Sequence, residues 1–229
     1  MKFLQTALNG YKTNQYKRRK ILKKTAVNYY LLAKSNVTGL WATMYNDAPY
    51  GRKLYDAITQ QVSNSSSRCA YCQDKVFHGA NLNIDHILPA SIYPQFTFTK
   101  ANLVVACVTC NALKSDRDYY TLQNPGRYYP NSSNNWQCFH PVHHVYAEHI
   151  DRFVIQTNHI HLRAYIGKTS AGVAICTNLL VNVSEFEAKA VANPNVAQAI
   201  NNLNTYMAKH CPNKTQALKN LISAMTTNI

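Results

Sequence analysis

The sequence has little acid and no long apolar run. Ten Asp and Glu stand against 24 Lys and Arg, giving a formal charge of +14 and a pI near 9.5. That imbalance points to a polyanionic partner, and nucleic acid is the first candidate. No stretch approaches the roughly 18–20 apolar residues of a membrane span. The opening MKFLQTALNG is interrupted by Gln5, Thr6 and Asn9, which spoils it as a signal-peptide core. The expected compartment is the cytoplasm, with no membrane partner. Only 7 Gly and 8 Pro exclude collagen-like and low-complexity classes, and 46% hydrophobic residues supply a core that needs no disulfides. The cysteine count, 7, is odd, which argues against a disulfide framework.

The charge is unevenly placed. No acid precedes Asp47, while Lys2, Lys12, Lys17, Arg18, Arg19, Lys20, Lys23, Lys24 and Lys34 all do. Apolar residues Ile21, Leu22, Val27, Tyr30, Leu31 and Leu32 interleave this run at helical spacing, which predicts a helix from about Asn14 to Ala33. Its charged face, Lys17, Arg18, Arg19, Lys20, Lys23 and Lys24, is either solvated or in contact with phosphates, and the missing acid favours phosphates. A second helix is expected over 50–62, followed by the polar run Ser63-Asn64-Ser65-Ser66-Ser67, read as a domain boundary. The expected organisation is a basic helical region over 1–65, a core over 66–122 and a strand-and-helix region over 123–229. In the last region, residues 124–135 read as an exposed turn-rich excursion. Residues 144–175 read as two or three strands with a turn at Gly167-Lys168-Thr169-Ser170. Helices are expected from Asn178 onward, punctuated by Pro194 and Pro212.

Four cysteines form two C-x-x-C pairs, Cys69 with Cys72 and Cys107 with Cys110. Each pair lets two thiolates from one tight turn occupy two corners of a tetrahedron about 2.3 Å from zinc. The alternatives are four unrelated core cysteines or a redox motif, which would appear once rather than twice; a saturated four-thiolate site leaves no open position, so the expected Zn²⁺ is structural. Residues 73–106 separate the pairs, which is long for a compact zinc ribbon, so a folded element must stand between them. The remaining cysteines, Cys138, Cys176 and Cys211, read as buried thiols.

Between the pairs lies Asn83-Ile84-Asp85-His86-Ile87-Leu88-Pro89, a short apolar strand bearing an acid beside an imidazole. Neighbours on a strand point to opposite sides, so Asp85 and His86 share a site only if the strand ends there, as Pro89 supports. Asn102 precedes a second apolar run, and Asn111-Ala-Leu-Lys114 follows the last cysteine of the two pairs. This order, C-x-x-C, Asp-His-Ile-x-Pro, Asn-Leu, C-x-x-C-Asn-x-x-Lys, resembles the HNH endonuclease family in its zinc-stabilised ββα-metal form, over about residues 69–117.

The resemblance implies that Asp85 and Asn111 ligate a catalytic Mg²⁺ or Mn²⁺ and that His86 is the general base. It gives Asn102 the role of steadying the metal loop and the His86 ring. The implied reaction hydrolyses phosphodiesters of DNA or a structured RNA such as tRNA, leaving a 5′-phosphate and a 3′-hydroxyl. Carboxylate and amide oxygens are hard donors suited to such cations. Many relatives carry His where Asn111 stands, which should weaken binding and disfavour Zn²⁺ there. Lys114, one helical turn after Asn111, is either a solvated lysine or a contact to the same phosphate.

Six of the nine histidines fall between His140 and His161, without a carboxylate pattern to complete a metal site, and are expected to line a groove or cap strands. The stretch from Phe139-His140-Pro141 to Thr177-Asn178-Leu179-Leu180-Val181-Asn182 resembles the tail of HNH effectors in Septu-type and retron-associated antiphage systems. That resemblance implies control by an ATPase partner and a role in antiviral defence. Two rival readings stand beside it: a stand-alone restriction or homing-type endonuclease, and a non-catalytic zinc module that binds nucleic acid. The expected fold is α+β, a ββα-metal core pinned by zinc and flanked by a basic helical N-terminal region and a mixed C-terminal region packed on it.

Overall fold

The computed structural model describes residues 16–77, 80–122, 125–126, 128–156 and 161–190 of the chain. These fall into two compact units, Met1–Pro130 and Asn131–Ile229. His78, His159 and Cys211 lie outside the described residues, as does the expected helical tail around Pro194 and Pro212. The side chains of Lys17, Arg18, Arg19 and His161 are also outside them. No helix among the described residues is long and apolar enough to cross a membrane.

The first unit opens on α1 (Tyr16–Lys34), which buries Leu22, Ala26, Tyr29 and Ala33 along one stripe and leaves Lys20, Lys23 and Lys24 exposed. The stripe follows the i, i+4, i+7 spacing of an amphipathic helix. Gly39, at φ 71°, holds the left-handed turn into α2 (Leu40–Asn46), a helix that the sequence reading missed. Helix α3 (Tyr50–Ser63) matches expectation and buries Leu54, Ala57, Ile58 and Val62.

After a first knuckle turn, Cys69–Cys72, come two antiparallel strands, β1 (Leu82–His86) and β2 (Leu103–Cys107), with Asp85 opposite Val104 and His86 opposite Leu103; the second knuckle, Cys107–Cys110, begins at the end of β2. Helix α4 (Val108–Lys114) follows β2 directly and packs back on both strands. Strand–strand–helix is thus the order of the core, and the fold is mixed α and β. The boundary expected near residue 65 does not divide compact units: helix α3 packs on β1 and β2, so the basic helical region and the core share one interior. The serine run is a loop inside that unit.

The second unit contains a short helix, α5 (Tyr146–His149), then an antiparallel pair of β3 (Ile150–Gln156) and β4 (His161–Gly167). The turn expected at residues 167–170 is instead a helix start. Thr169 accepts a hydrogen bond on Oγ1 from the Gly172 N–H at 3.1 Å and caps α6 (Ser170–Ile175). A π-helical stretch, Cys176–Leu180, continues into α7 (Val181–Ala190), which packs on β4. Gly172 sits where a side chain would collide with the His149 carbonyl, 2.0 Å from an ideal Cβ.

Candidate active site

The two knuckle turns converge. The sulfurs of Cys69, Cys72, Cys107 and Cys110 all lie within 4.8 Å of one another and all four residues are buried. Cys72 and Cys107 approach to 3.7 Å, Sγ to Sγ. A tetrahedron with zinc–sulfur bonds of about 2.3 Å has edges of about 3.8 Å, so the arrangement fits a four-thiolate zinc. The local fold prepares the site chemically as well. Cys107 caps α4, its sulfur accepting from the Cys110 N–H at 3.4 Å. Hydrogen bonds from Cys110, Cys69 and Cys72 hold the Cys107 thiol far below its ordinary range, while the bond to Cys107 pushes the Cys72 and Cys110 thiols up. Cys138 and Cys176 are buried, as expected.

Strand β1 ends at His86, which resolves the pleat problem: the chain turns away just after the Asp85–His86 pair. Asp85 is 5% exposed. Its carboxylate accepts from the Tyr71 hydroxyl at 2.5 Å and pairs with Lys114 Nζ at 3.3 Å on Oδ1 and 3.2 Å on Oδ2. Burial pushes the Asp85 pKa up, and the Lys114 charge opposes that rise. Lys114 also donates to the His86 carbonyl at 2.7 Å. The sequence reading that allowed Lys114 a phosphate contact is therefore corrected: the side chain is wholly buried and its ammonium serves Asp85 and the backbone of His86.

The His86 ring is held from two sides. Its Nε2 lies 3.0 Å from the Thr97 carbonyl, which can only accept, so Nε2 carries the proton and Nδ1 presents a lone pair. Nδ1 has no hydrogen-bond partner among the described residues. Trp41 of α2 packs edge-on against the ring at 4.9 Å between centroids, an interplanar angle of 90°. Burial pushes the His86 pKa down to about 4, with the Lys114 charge acting in the same direction, so the imidazole is neutral at neutral pH.

Asn102 is buried and braces the loop after β1. Its Oδ1 accepts from the Leu88 N–H at 2.7 Å and from the Tyr129 hydroxyl at 3.2 Å. Its Nδ2 donates to the Leu88 carbonyl at 3.1 Å and the Phe96 carbonyl at 3.3 Å. The expected hold on the His86 ring is not made by this side chain; the Thr97 carbonyl makes it. Asn111, half-buried on α4 one turn before Lys114, has a side-chain amide without a hydrogen-bond partner among the described residues.

The donor set therefore fits a hard divalent cation in kind, an acid and an amide oxygen on facing elements. The Asp85 carboxylate keeps lone-pair capacity beyond its three contacts, though the Lys114 ammonium stands beside it as a competing charge. Tyr71, Thr97 and Trp41 belong to this site and were not found from the sequence. Tyr71, inside the first C-x-x-C, carried a positional signal; a backbone acceptor at Thr97 carries none.

The histidines of the second unit are engaged differently. The His144 Nδ1 accepts from the His140 N–H at 2.9 Å and its Nε2 donates to the Ser133 carbonyl at 3.2 Å. The His140 Nδ1 accepts from the Val142 N–H at 3.2 Å, and the His149 Nδ1 meets Thr169 Oγ1 at 2.6 Å. Among the described residues the cysteine cluster is the one group of three or more His, Cys, Asp or Glu side chains that could hold a metal ion.

Comparison with known proteins agrees with the core. Residues 69–117 match the family model described as HNH endonuclease. The chain is similar to Protein ea31 of Escherichia phage lambda, 38% identical over 60 residues. That match covers 26% of this chain and 18% of the phage protein, so the chain spans under a fifth of the length of that curated relative. No solved structure matches.

Proposed function

We propose that the protein is a metal-dependent nuclease that hydrolyses phosphodiester bonds, with His86 as general base. The observation that carries this reading is the His86 ring: Nε2 committed to a carbonyl and Nδ1 presenting its lone pair, beside a buried Asp85 in a stretch that matches the HNH endonuclease family model. Asp85 and Asn111 would hold the catalytic cation, Mg²⁺ or Mn²⁺. When bound, that cation supplies charge neutralisation at the phosphate and the departing oxygen.

The chain's own groups perform the rest. His86 Nδ1 takes a proton from the attacking water as the new bond to phosphorus forms and the bond to the 3′ oxygen breaks. Thr97 and Trp41 fix the ring so that Nδ1 keeps its direction, Lys114 and Tyr71 fix Asp85, and Asn102 holds the loop that carries Thr97 toward the ring. A zinc held by Cys69, Cys72, Cys107 and Cys110 would tie the first knuckle to the start of α4, and so set Asn111 against β1. Lys20, Lys23 and Lys24 on α1, with Lys17, Arg18 and Arg19 in the same run, would bind the phosphate backbone.

The finer reading is a toxic effector of cytoplasmic antiphage defence, held or licensed by an ATPase partner. It is supported by the resemblance of residues 139–182 to the tails of such effectors and by the harm that an unrestrained nuclease would do its host.

The test is a cleavage assay on supercoiled plasmid, single-stranded DNA and bulk tRNA, with Mg²⁺, Mn²⁺ or EDTA, comparing the native chain with Asp85→Asn and Asn111→Ala. Cleavage that needs the cation and falls in both variants supports the proposal. Cleavage indifferent to the cation contradicts it. Co-purification of an ATPase that changes the rate tests the finer reading.

A further inference from the structure

One side of the His86 ring meets an aromatic cluster of which the mechanism uses only Trp41. Trp41, in contact with His86, meets the Tyr55 ring at 5.0 Å with a tilt of 56°, and Tyr55 meets Tyr45 at 5.0 Å, edge to face at 78°. The guanidinium of Arg52 lies over the Tyr45 ring, Cζ 4.1 Å from its centroid, with Nε held by Asp56 at 3.0 Å. Burial falls along this series. Trp41 and Tyr55 are half-buried, whereas Tyr45 is 43% exposed and the Arg52 side chain 45%. All of it comes from α2 and α3.

A core cluster would be covered, and scattered surface aromatics would not be joined ring to ring down to a base. In each edge-on contact the ring that offers its edge keeps its faces off its partner. Planar faces backed by a guanidinium are what unpaired nucleobases stack upon, and the Arg52 charge suits the accompanying phosphates. Bases in a duplex are already stacked on their neighbours and cannot offer those faces without being flipped out.

We infer that Trp41, Tyr55, Tyr45 and Arg52 form a stacking platform for unpaired bases flanking the scissile phosphate, so that the substrate reaches His86 as a single strand or an unpaired segment. The inference rests on the nuclease reading and specifies its substrate class. Tyr45 and Arg52 are binding residues here, and Trp41 both walls the His86 ring and begins the platform.

The test is binding without added divalent cation, so that it is independent of cleavage. Fluorescence anisotropy is titrated with a labelled oligodeoxythymidylate of about 15 nucleotides, within the site sizes of single-strand grooves, and with a duplex of equal length. Tyr45→Ala, a change at an exposed residue, is expected to weaken the single strand roughly 5- to 150-fold and to leave the duplex within about twofold. The chain has 2 Trp. Trp136→Phe therefore leaves Trp41 as the sole tryptophan, whose emission the single strand should quench saturably and the duplex should not. Equal weakening of both nucleic acids in Tyr45→Ala, or no weakening of either, would overturn the platform. A protein that cleaves with Mg²⁺ yet binds both forms alike refutes the platform alone; one that prefers single strands yet never cleaves refutes the nuclease reading alone.

Discussion

His86 and His140 make an instructive pair. His86 is half-buried and His140 fully buried, and burial drives both pKa values down, to about 4 and about 2. His86 donates through Nε2 to a carbonyl and keeps the Nδ1 lone pair. His140 uses its Nδ1 to accept the Val142 N–H, and its own N–H goes to His144. The same side chain, half-buried in the first unit and fully buried in the second, is chemically available in one and committed to the backbone in the other. What separates a candidate base from a structural histidine is the partner of each ring nitrogen, not the density of histidines along the chain.

The comparison can be broken or sharpened in several ways. The largest effect is expected from the metal. Structural zinc contributes on the order of 10–16 kcal/mol in small zinc domains. Cys107→Ser, or a strong chelator, should abolish the cooperative unfolding of the first unit, seen by circular dichroism, with loss of one zinc per chain by elemental analysis. The second unit should keep its own signal.

Next is the Lys114–Asp85 pair, whose side chains are 1% and 6% exposed. Removing one partner of a buried pair costs about 3–5 kcal/mol. Lys114→Met should lower the urea midpoint accordingly, while Lys23→Ala on the exposed face of α1 should leave it within about 0.5 kcal/mol. Equal midpoints in the two variants would show Lys114 to be a surface lysine after all.

Acid sharpens the comparison further. The unfolded His140 takes up a proton near pH 6.5, but burial, with the charges of His143 and His144, keeps the native ring neutral to about pH 2. Stability from this group is complete above pH 6.5 and falls as pH drops below it, by about 1.4 kcal/mol per pH unit for one proton. His140→Asn should flatten the slope of unfolding free energy between pH 6 and 4. A slope unchanged by the substitution would remove the burial argument.

The smallest effect belongs to the basic helix. Alanine at Lys20, Lys23 or Lys24 should each remove one phosphate partner and so reduce the salt dependence of binding by about 0.7–0.9 in the log–log slope, without altering stability. Binding titrations over a range of salt concentrations read that slope directly.

Much of the first unit was legible in the sequence because its signals are local. Thiolate pairs, an Asp-His strand ended by proline and two amphipathic helices are all patterns of near neighbours. Lys114 was misread because an unpaired lysine at helical spacing is ordinarily solvated; its partner, Asp85, is distant in sequence and only the packing of α4 on β1 joins them. Thr97 escaped notice because its role is a carbonyl oxygen, which every residue has. Trp41 and Tyr45 sit on a helix whose start depends on the left-handed Gly39, and nothing near them in sequence points to His86. In the second unit the Gly-Lys-Thr-Ser stretch reads equally as a hairpin turn or a helix cap, and the Thr169 to Gly172 bond decides for the cap.

The most direct test of the central claim places the two histidines in one experiment. Single-turnover cleavage with Mg²⁺ is compared for the native chain, His86→Ala and His140→Ala, each checked for bound zinc and for folding. The account predicts a fall of about 10²–10⁴-fold for His86→Ala, the range of a lost general base, and a rate within a few-fold of native for folded His140→Ala. Native-like cleavage by His86→Ala with zinc retained would contradict it.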